Sequence, residues 1–183
     1  LAQMLNDTQP ACVLCTEGTR DKLPNLSTKA VVLDSEADVI KRESSVVPRV
    51  ESSGERLYVL YTSGSSGRPK GVEGTHGGAL NRFEWMWGRY PFEAGEVCCQ
   101  KTNLGFVDSV WEIFGPLLAG VPSVIVPQEA LLDPEELIGY LARHGVTRMV
   151  LVPSLLRALL DHAPNLGERL PKTTLVSIGH RSN

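Results

Sequence analysis

The segment that most constrains this chain is residues 57–72. An apolar run, Leu57 to Tyr61, empties without transition into Thr62-Ser63-Gly64-Ser65-Ser66-Gly67, and Pro69-Lys70-Gly71 closes the stretch. The apolar run has the length and composition of a short buried strand. The six residues after it hold four hydroxyls and two glycines. Such a composition cannot build a core, but it can wrap an anion. Glycine lets backbone N–H groups turn inward at close range, and Ser and Thr add donors. Lys70 supplies a mobile positive charge suited to a polyphosphate. A flexible Gly/Ser linker would use the same glycines. It would not need a strand feeding into it or a Pro-Lys-Gly at its exit.

Two familiar phosphate motifs are excluded. Counting four residues on from Gly64 reaches Pro69-Lys70-Gly71 rather than the Gly-Lys-Ser/Thr of a Walker loop, and there is no G-x-G-x-x-G. Residues 61–72 instead resemble the signature loop of the adenylate-forming enzymes, Tyr-Thr-Ser-Gly-Ser-Ser/Thr-Gly-x-Pro-Lys-Gly-Val. They fit every defined position, with Arg68 at the free one. That family includes acyl-CoA synthetases, luciferases and the adenylation domains of nonribosomal peptide synthetases. The resemblance implies that Thr62, Ser63, Gly64, Ser65, Ser66, Gly67 and Lys70 close over the β- and γ-phosphates of ATP, with Mg²⁺ sharing the charge.

Composition agrees with a globular domain. The chain has 183 residues, 42% hydrophobic and 21% charged, enough for a core of its own. A net charge of −3 gives no support for nucleic acid or an anionic membrane as partner. No apolar run approaches the length of a membrane span. The first residues lack the basic and apolar regions of a signal peptide, although a chain that starts at Leu1 says little about targeting. Cys12 and Cys15 form a C-x-x-C, but on a strand their sulfurs would point to opposite faces. The neighbours Cys98 and Cys99 diverge for the same reason. All four are expected to be buried free thiols in a reducing, cytoplasmic setting.

In order along the chain, residues 1–9 have a helical apolar face (Leu1, Met4, Leu5) that Pro10 ends, and residues 11–16 and 29–33 are strand-like with a polar loop between them. Residues 34–56 are polar and Ser-rich, a surface linker. Thr75 is a good N-cap for a helix to about Gly88, with Phe83, Met86 and Trp87 on its apolar side. His76 and Asn81 stand where the family has His and Asn, without a catalytic role. A strand at 96–101 precedes a helix capped by Asp108 or Ser109, with Val110, Ile113, Phe114 and Leu117 at helical spacing and Pro116 as an expected kink. Strand 121–126 is followed by Asp133-Pro134-Glu135-Glu136, a capping box with proline at the first helical position. Leu137, Ile138 and Leu141 form the buried stripe of that helix and Gly145 its stop. Then come strand 146–152, a helix capped by Ser154 that carries Leu155, Leu156, Leu159 and Leu160, and strand 175–178. Alternating strands and helices predict an α/β fold with a mostly parallel sheet, part of the large domain of the adenylate-forming fold.

Phe106 to Phe114 resembles a second family segment, Phe-Asp-x-Ser followed by a Trp-Glu-Ile-Phe-like helix. The resemblance implies that the Phe gates the acyl and pantetheine channel. It also implies that, in amino-acid-activating members, the Asp after it pairs with the substrate α-ammonium, since a buried ammonium requires a partner. Here Val107 holds that position and Asp108 follows one residue later, about a 100° rotation on a helix. The order Val107, Asp108, Trp111, with Val150 as a fourth pocket position, resembles β-alanine-activating domains, with Phe106 at the gate. If Asp108 serves only as a helix cap, an aryl or aliphatic acid becomes the better substrate.

The resemblance thus implies ATP-dependent activation of a small carboxylic or amino acid, and transfer of the acyl-adenylate to CoA or a carrier-protein pantetheine. It covers residues 1–177. The family's adenine segment, Tyr-Gly-x-Thr-Glu motif, ribose-binding Asp, hinge and C-terminal catalytic Lys have no counterpart, and residues 178–183 depart from the family pattern. The chain by itself is expected to be inactive, with exposed sheet edges. The alternatives are a non-catalytic nucleotide-binding product of the same family, an acyl-CoA synthetase for a fatty or aryl acid, and an unrelated α/β domain with a phosphate loop.

Overall fold

Strands that run parallel cannot be joined by a tight turn and need a crossover. The second half of the chain is built on that requirement. The computed structural model describes residues 1–24, 28–46, 54–63 and 67–178, and the chain forms two units, Leu1–Glu73 and Gly74–Asn183.

In the first unit, helix α1 (Ala2–Thr8) ends at Gln9, which adopts a left-handed φ of 42° before Pro10. Strand β1 (Cys12–Cys15), helix α2 (Glu17–Arg20) and strand β2 (Lys29–Val32) follow. β1 and β2 pair in parallel, Cys12 opposite Lys29 through Cys15 opposite Val32. The Asp34 carboxylate accepts from the Glu17 N–H at 3.0 Å, at the start of α2. Helix α3 (Ala37–Ile40) precedes strand β3 (Arg56–Thr62), which pairs with strand β4 (Lys70–Thr75) in a separate two-stranded sheet.

The second unit holds helix α4 (His76–Arg89), strand β5 (Cys98–Gln100), helix α5 (Asp108–Leu118), strand β6 (Ser123–Ile125), a 3-10 turn (Glu129–Leu131), helix α6 (Pro134–Arg143), strand β7 (Arg148–Leu151), helices α7 (Pro153–His162) and α8 (Leu166–Arg169), and strand β8 (Leu175–Ile178). The sheet order is β6-β5-β7-β8, and each neighbouring pair is parallel. Thr75 caps α4 by accepting from the Gly78 N–H. Asp133 caps α6 by accepting from Glu135, with Pro134 in the first turn, and Gly145 takes the left-handed φ of 62° beyond its end. These local signals mark the helix ends where the sequence predicts them, although Asp133 accepts from the N–H of Glu135 rather than from that of Glu136, which the expected capping box requires.

All four residues of β7 are buried, and its period of two divides the core. Met149 and Leu151 join Leu137, Ile138 and Leu141 of α6 and Leu159 of α7. Val150 faces the other way and joins Phe83, Met86 and Trp111. Each fully buried aliphatic side chain contributes about 1.5–3 kcal/mol.

Several expectations are corrected. Cys12 is exposed, although Cys15, Cys98 and Cys99 are buried, because β1 shows solvent one face. β3 is half-buried rather than buried, and β4 is a strand where only a loop exit was expected. Short helices α2 and α3 occupy stretches read as loop and linker; residues 47–53 of that linker lie outside the described residues. Helix α5 has Val107 at its N-cap and no side-chain cap, so neither Asp108 nor Ser109 plays that part. It runs on through Pro116. Its buried face is Ser109, Trp111, Glu112, Gly115 and Pro116, while Phe114 and Leu117 are exposed. Ser154 does not cap α7, whose N-cap is Val152 with Pro153 in the first turn; Leu160 is exposed.

The rotation of α5 has a packing cause. A methyl group at Gly115 would collide with the Trp111 ring one turn earlier, so glycine lets that indole lie flat along its own helix. The Trp87 indole N–H also donates to the Gly115 carbonyl at 3.1 Å. Gly115→Ala should therefore cost about 1–3 kcal/mol by overpacking, despite the ~1 kcal/mol helix-propensity gain. Urea unfolding is the measurement, and a stabilised variant would contradict the packing account.

Candidate functional site

The first cluster of interest lies where β3 and β4 are joined. Thr62 ends β3, Lys70 begins β4, and Thr62, Ser63, Gly67 and Lys70 are all exposed. Gly67 has a φ of 76°, a conformation that turns the backbone in a way side chains rarely permit. Gly71 lies against Val59 and Tyr61, where an added Cβ would stand 3.1 and 3.3 Å from their side chains. Its missing side chain lets β4 pass close to the Tyr61 ring. At the far end Arg56 pairs with Glu73 at 2.8 Å. Gly64, Ser65 and Ser66 lie outside the described residues. Exposed hydroxyls, a left-handed glycine and an exposed ammonium are chemically suited to a triphosphate.

The second cluster belongs to the other unit and begins where β5 passes into α5. This connection is held at both ends. Before it, the Glu112 carboxylate accepts from the Lys101 N–H (3.0 Å), the Thr102 N–H (2.8 Å) and the Thr102 hydroxyl (2.8 Å), and pairs with the Lys101 ammonium at 3.3 Å. The two charged side chains are only 6% and 2% exposed. After it, the Ser109 hydroxyl donates to the Phe106 carbonyl at 2.7 Å, and the Asn103 side chain accepts from the Gly105 N–H at 2.8 Å. Between these anchors Phe106 and Val107 are 67% and 48% exposed.

Trp111 and Val150 are brought together. They share the cluster with Phe83 and Met86 and line one pocket with Glu112 and Arg148. Phe92 stacks on Trp111 with planes 3° apart, and the Arg148 guanidinium sits 4.2 Å over the Phe92 ring. Arg148 donates to the carbonyls of Tyr90 (2.7 Å) and Pro91 (3.0 Å) and to both Glu96 oxygens (2.9 and 2.8 Å). Its Nε is buried without a partner among the described residues. Cys98 and Cys99 line the same pocket. Burial pushes their thiols up to about 11 and about 12, which keeps them protonated and unreactive. Among the described residues no cluster of His, Cys, Asp or Glu could hold a metal ion.

Asp108 stands in the first turn of α5, where a carboxylate is favoured by the helix dipole. It is paired: Arg82 of α4 donates from Nη2 to its Oδ1 at 2.9 Å. Sequence reasoning missed Arg82, the Lys101–Glu112 pair and the Arg148–Glu96 pair. Only Glu112 left a signal, as a lone charge inside the apolar run Val110 to Leu118.

The model of the AMP-binding enzyme family matches residues 1–180. The chain belongs to that family, the adenylate-forming ligases. It is 50% identical over 103 residues to the beta-alanyl-bioamine nonribosomal peptide synthetase ebony of Drosophila melanogaster, covering 56% of this chain and 12% of that protein. It is 38% identical over 160 residues to the vanchrobactin synthetase VabF of Vibrio anguillarum, covering 87% of this chain and 6% of that one. Among solved structures, the nonribosomal peptide synthetase FmoA3 superposes with a TM-score of 0.81 at 26% identity, covering 96% of this chain and 18% of that chain. Its AMPPNP-bound form gives 0.76 at 25%, covering 98% and 22%. The chain thus spans 12% or less of these two curated relatives. ATP use is a property of the family. Among the described residues no helix is long and apolar enough to cross a membrane.

Proposed function

We propose that these residues supply the phosphate loop and the substrate-choosing wall of an enzyme that activates β-alanine, or a similarly short β-amino acid, as its adenylate. In that reaction a carboxylate oxygen of the acid attacks the α-phosphorus of ATP, a new P–O bond forms, and the bond to the β-phosphate oxygen breaks to release pyrophosphate. A thiol of CoA or of a carrier-protein pantetheine then attacks the acyl carbon and displaces AMP. Thr62, Ser63, Gly64, Ser65, Ser66, Gly67 and Lys70 would hold the leaving pyrophosphate, whose charge Mg²⁺ entering with the nucleotide would share. Their contribution is positioning and charge stabilisation.

The observation that carries the substrate assignment is the one-residue displacement of the carboxylate, with apolar Val107 followed by Asp108. A β-amino acid has its nitrogen one carbon further from the carboxyl, so its ammonium calls for an anchor set differently from that of an α-amino acid. The likeness to a protein named as a β-alanyl synthetase supports the same reading. A second reading has its own observation. Because Asp108 already has a cationic partner in Arg82, an acid without an amine could be accepted with no carboxylate left unpaired.

ATP–pyrophosphate exchange by the full-length enzyme that carries these residues tests the proposal. β-Alanine should drive exchange above both L-alanine and propionate. Strong exchange with an α-amino or fatty acid and none with β-alanine would overturn it.

A further inference from the structure

The anchor proposed for the substrate amine is not free. Arg82 reaches it from α4, across 26 residues of sequence. The contact engages one carboxylate oxygen through one guanidinium nitrogen, short of the two-pronged fork that makes arginine–carboxylate pairs strong. Arg82 is 42% exposed and Asp108 21%, so water can take over the guanidinium if it lets go, while the carboxylate is the more enclosed partner. Exposed single-contact pairs of this kind are weak.

We infer that Arg82 is a specificity-determining residue: a resident counter-ion that holds Asp108 when no amine is bound and that the substrate ammonium must displace. This deepens the proposed function and rests on Asp108 as the amine anchor. Two consequences follow from charge alone. For a β-amino acid, Arg82 is a competitor, and part of the ammonium–carboxylate attraction goes into ejecting it. For an acid lacking the amine, Arg82 is a substitute, because it spares the site an unpaired, largely enclosed carboxylate. Arg82 therefore narrows the gap between amino acids and plain acids. The packing of α4 on α5 is secured elsewhere, by Phe83 against Trp111 (ring centroids 5.7 Å apart) and by the Trp87–Gly115 hydrogen bond. Removing the Arg82 side chain should therefore leave the two helices in place.

The test is exchange kinetics of the full-length enzyme with β-alanine and with propionate, its amine-free analogue. Arg82→Met should lower KM for β-alanine about fivefold and raise it for propionate, so the kcat/KM ratio between them rises about tenfold or more. Arg82→Lys, which retains the charge, should return the ratio to within about threefold of the parent value. In an Asp108→Asn background the Arg82→Met effect on the ratio should vanish. A tie between helices would instead lower both substrates in parallel. An unchanged ratio in Arg82→Met, a parallel decline, or an effect that survives Asp108→Asn overturns the inference while leaving the β-alanine reading standing. If the parent enzyme shows no exchange with β-alanine, both fall.

Discussion

Glu112→Leu is expected to destabilise the second unit by about 3–5 kcal/mol, the cost of leaving a buried charge without its partner. Lys101 is the group abandoned. Its ammonium and the Glu112 carboxylate are almost wholly enclosed, and the carboxylate also takes two backbone N–H groups and the Thr102 hydroxyl. A loss of that size is a large fraction of the 5–15 kcal/mol that holds a typical domain together. The double variant Lys101→Met/Glu112→Leu should recover much of it, because an apolar pair replaces an ion pair and leaves no buried charge behind. Two N–H groups and the Thr102 hydroxyl still lose their acceptor, so recovery should stop short of the parent. Denaturant unfolding of the three variants measures this. A single-variant loss below about 1 kcal/mol would show that the pair is solvated. Glu112 also fixes the start of the connection that carries Phe106 and Val107, so the proposed substrate wall depends on it for position.

The second large effect is expected at Arg148. One guanidinium ties together Tyr90, Pro91 and Glu96 and stacks on Phe92. It therefore fixes the segment between α4 and β5 and, through Phe92, the ring on which Trp111 rests. Arg148→Met should cost about 3–5 kcal/mol, again mostly from stranding Glu96, which is as enclosed as the arginine. Arg148→Lys should recover only part, since an ammonium has neither the planar fork nor the stacking face. If Arg148→Lys is as stable as the parent, the carbonyl contacts and the stack contribute little and the pair is a simple point-charge interaction. Loss of near-ultraviolet dichroism from Trp111 before global unfolding would locate the damage at the pocket.

Both effects sit beside the candidate site, and neither pairing was legible in the residues. What could be read were signals that act between near neighbours in the chain. Thr75, Asp133 with Pro134, and Gly145 announced helix ends because caps and left-handed stops are local events. The stripe Leu137, Ile138, Leu141 was legible because α6 packs one conventional apolar face against β7. The loop of residues 61–72 pointed to the family because every residue of the motif is consecutive. The reading of α5 failed where that logic fails. Its most hydrophobic stripe, including Phe114 and Leu117, lies outward, because a glycine one turn beyond Trp111 and a carboxylate paired across to Lys101 favour the opposite face. Local composition shows Glu112 only as a lone charge in an apolar run and names no partner for it. Only the return of β5 beside α5 gives it a partner.

The family and the alternation of strands and helices that makes a parallel sheet could be read from the sequence, because both are written in contiguous or periodic positions, and the residues proposed to hold a triphosphate are likewise consecutive. The tertiary structure alone decided the charge pairing: Arg82 with Asp108, Lys101 with Glu112, Arg148 with Glu96. The partners are separated by 26, 11 and 52 residues. A charged side chain in a sequence is compatible with water or with any opposite charge. Which of them it meets depends on which backbones the fold brings within hydrogen-bonding distance.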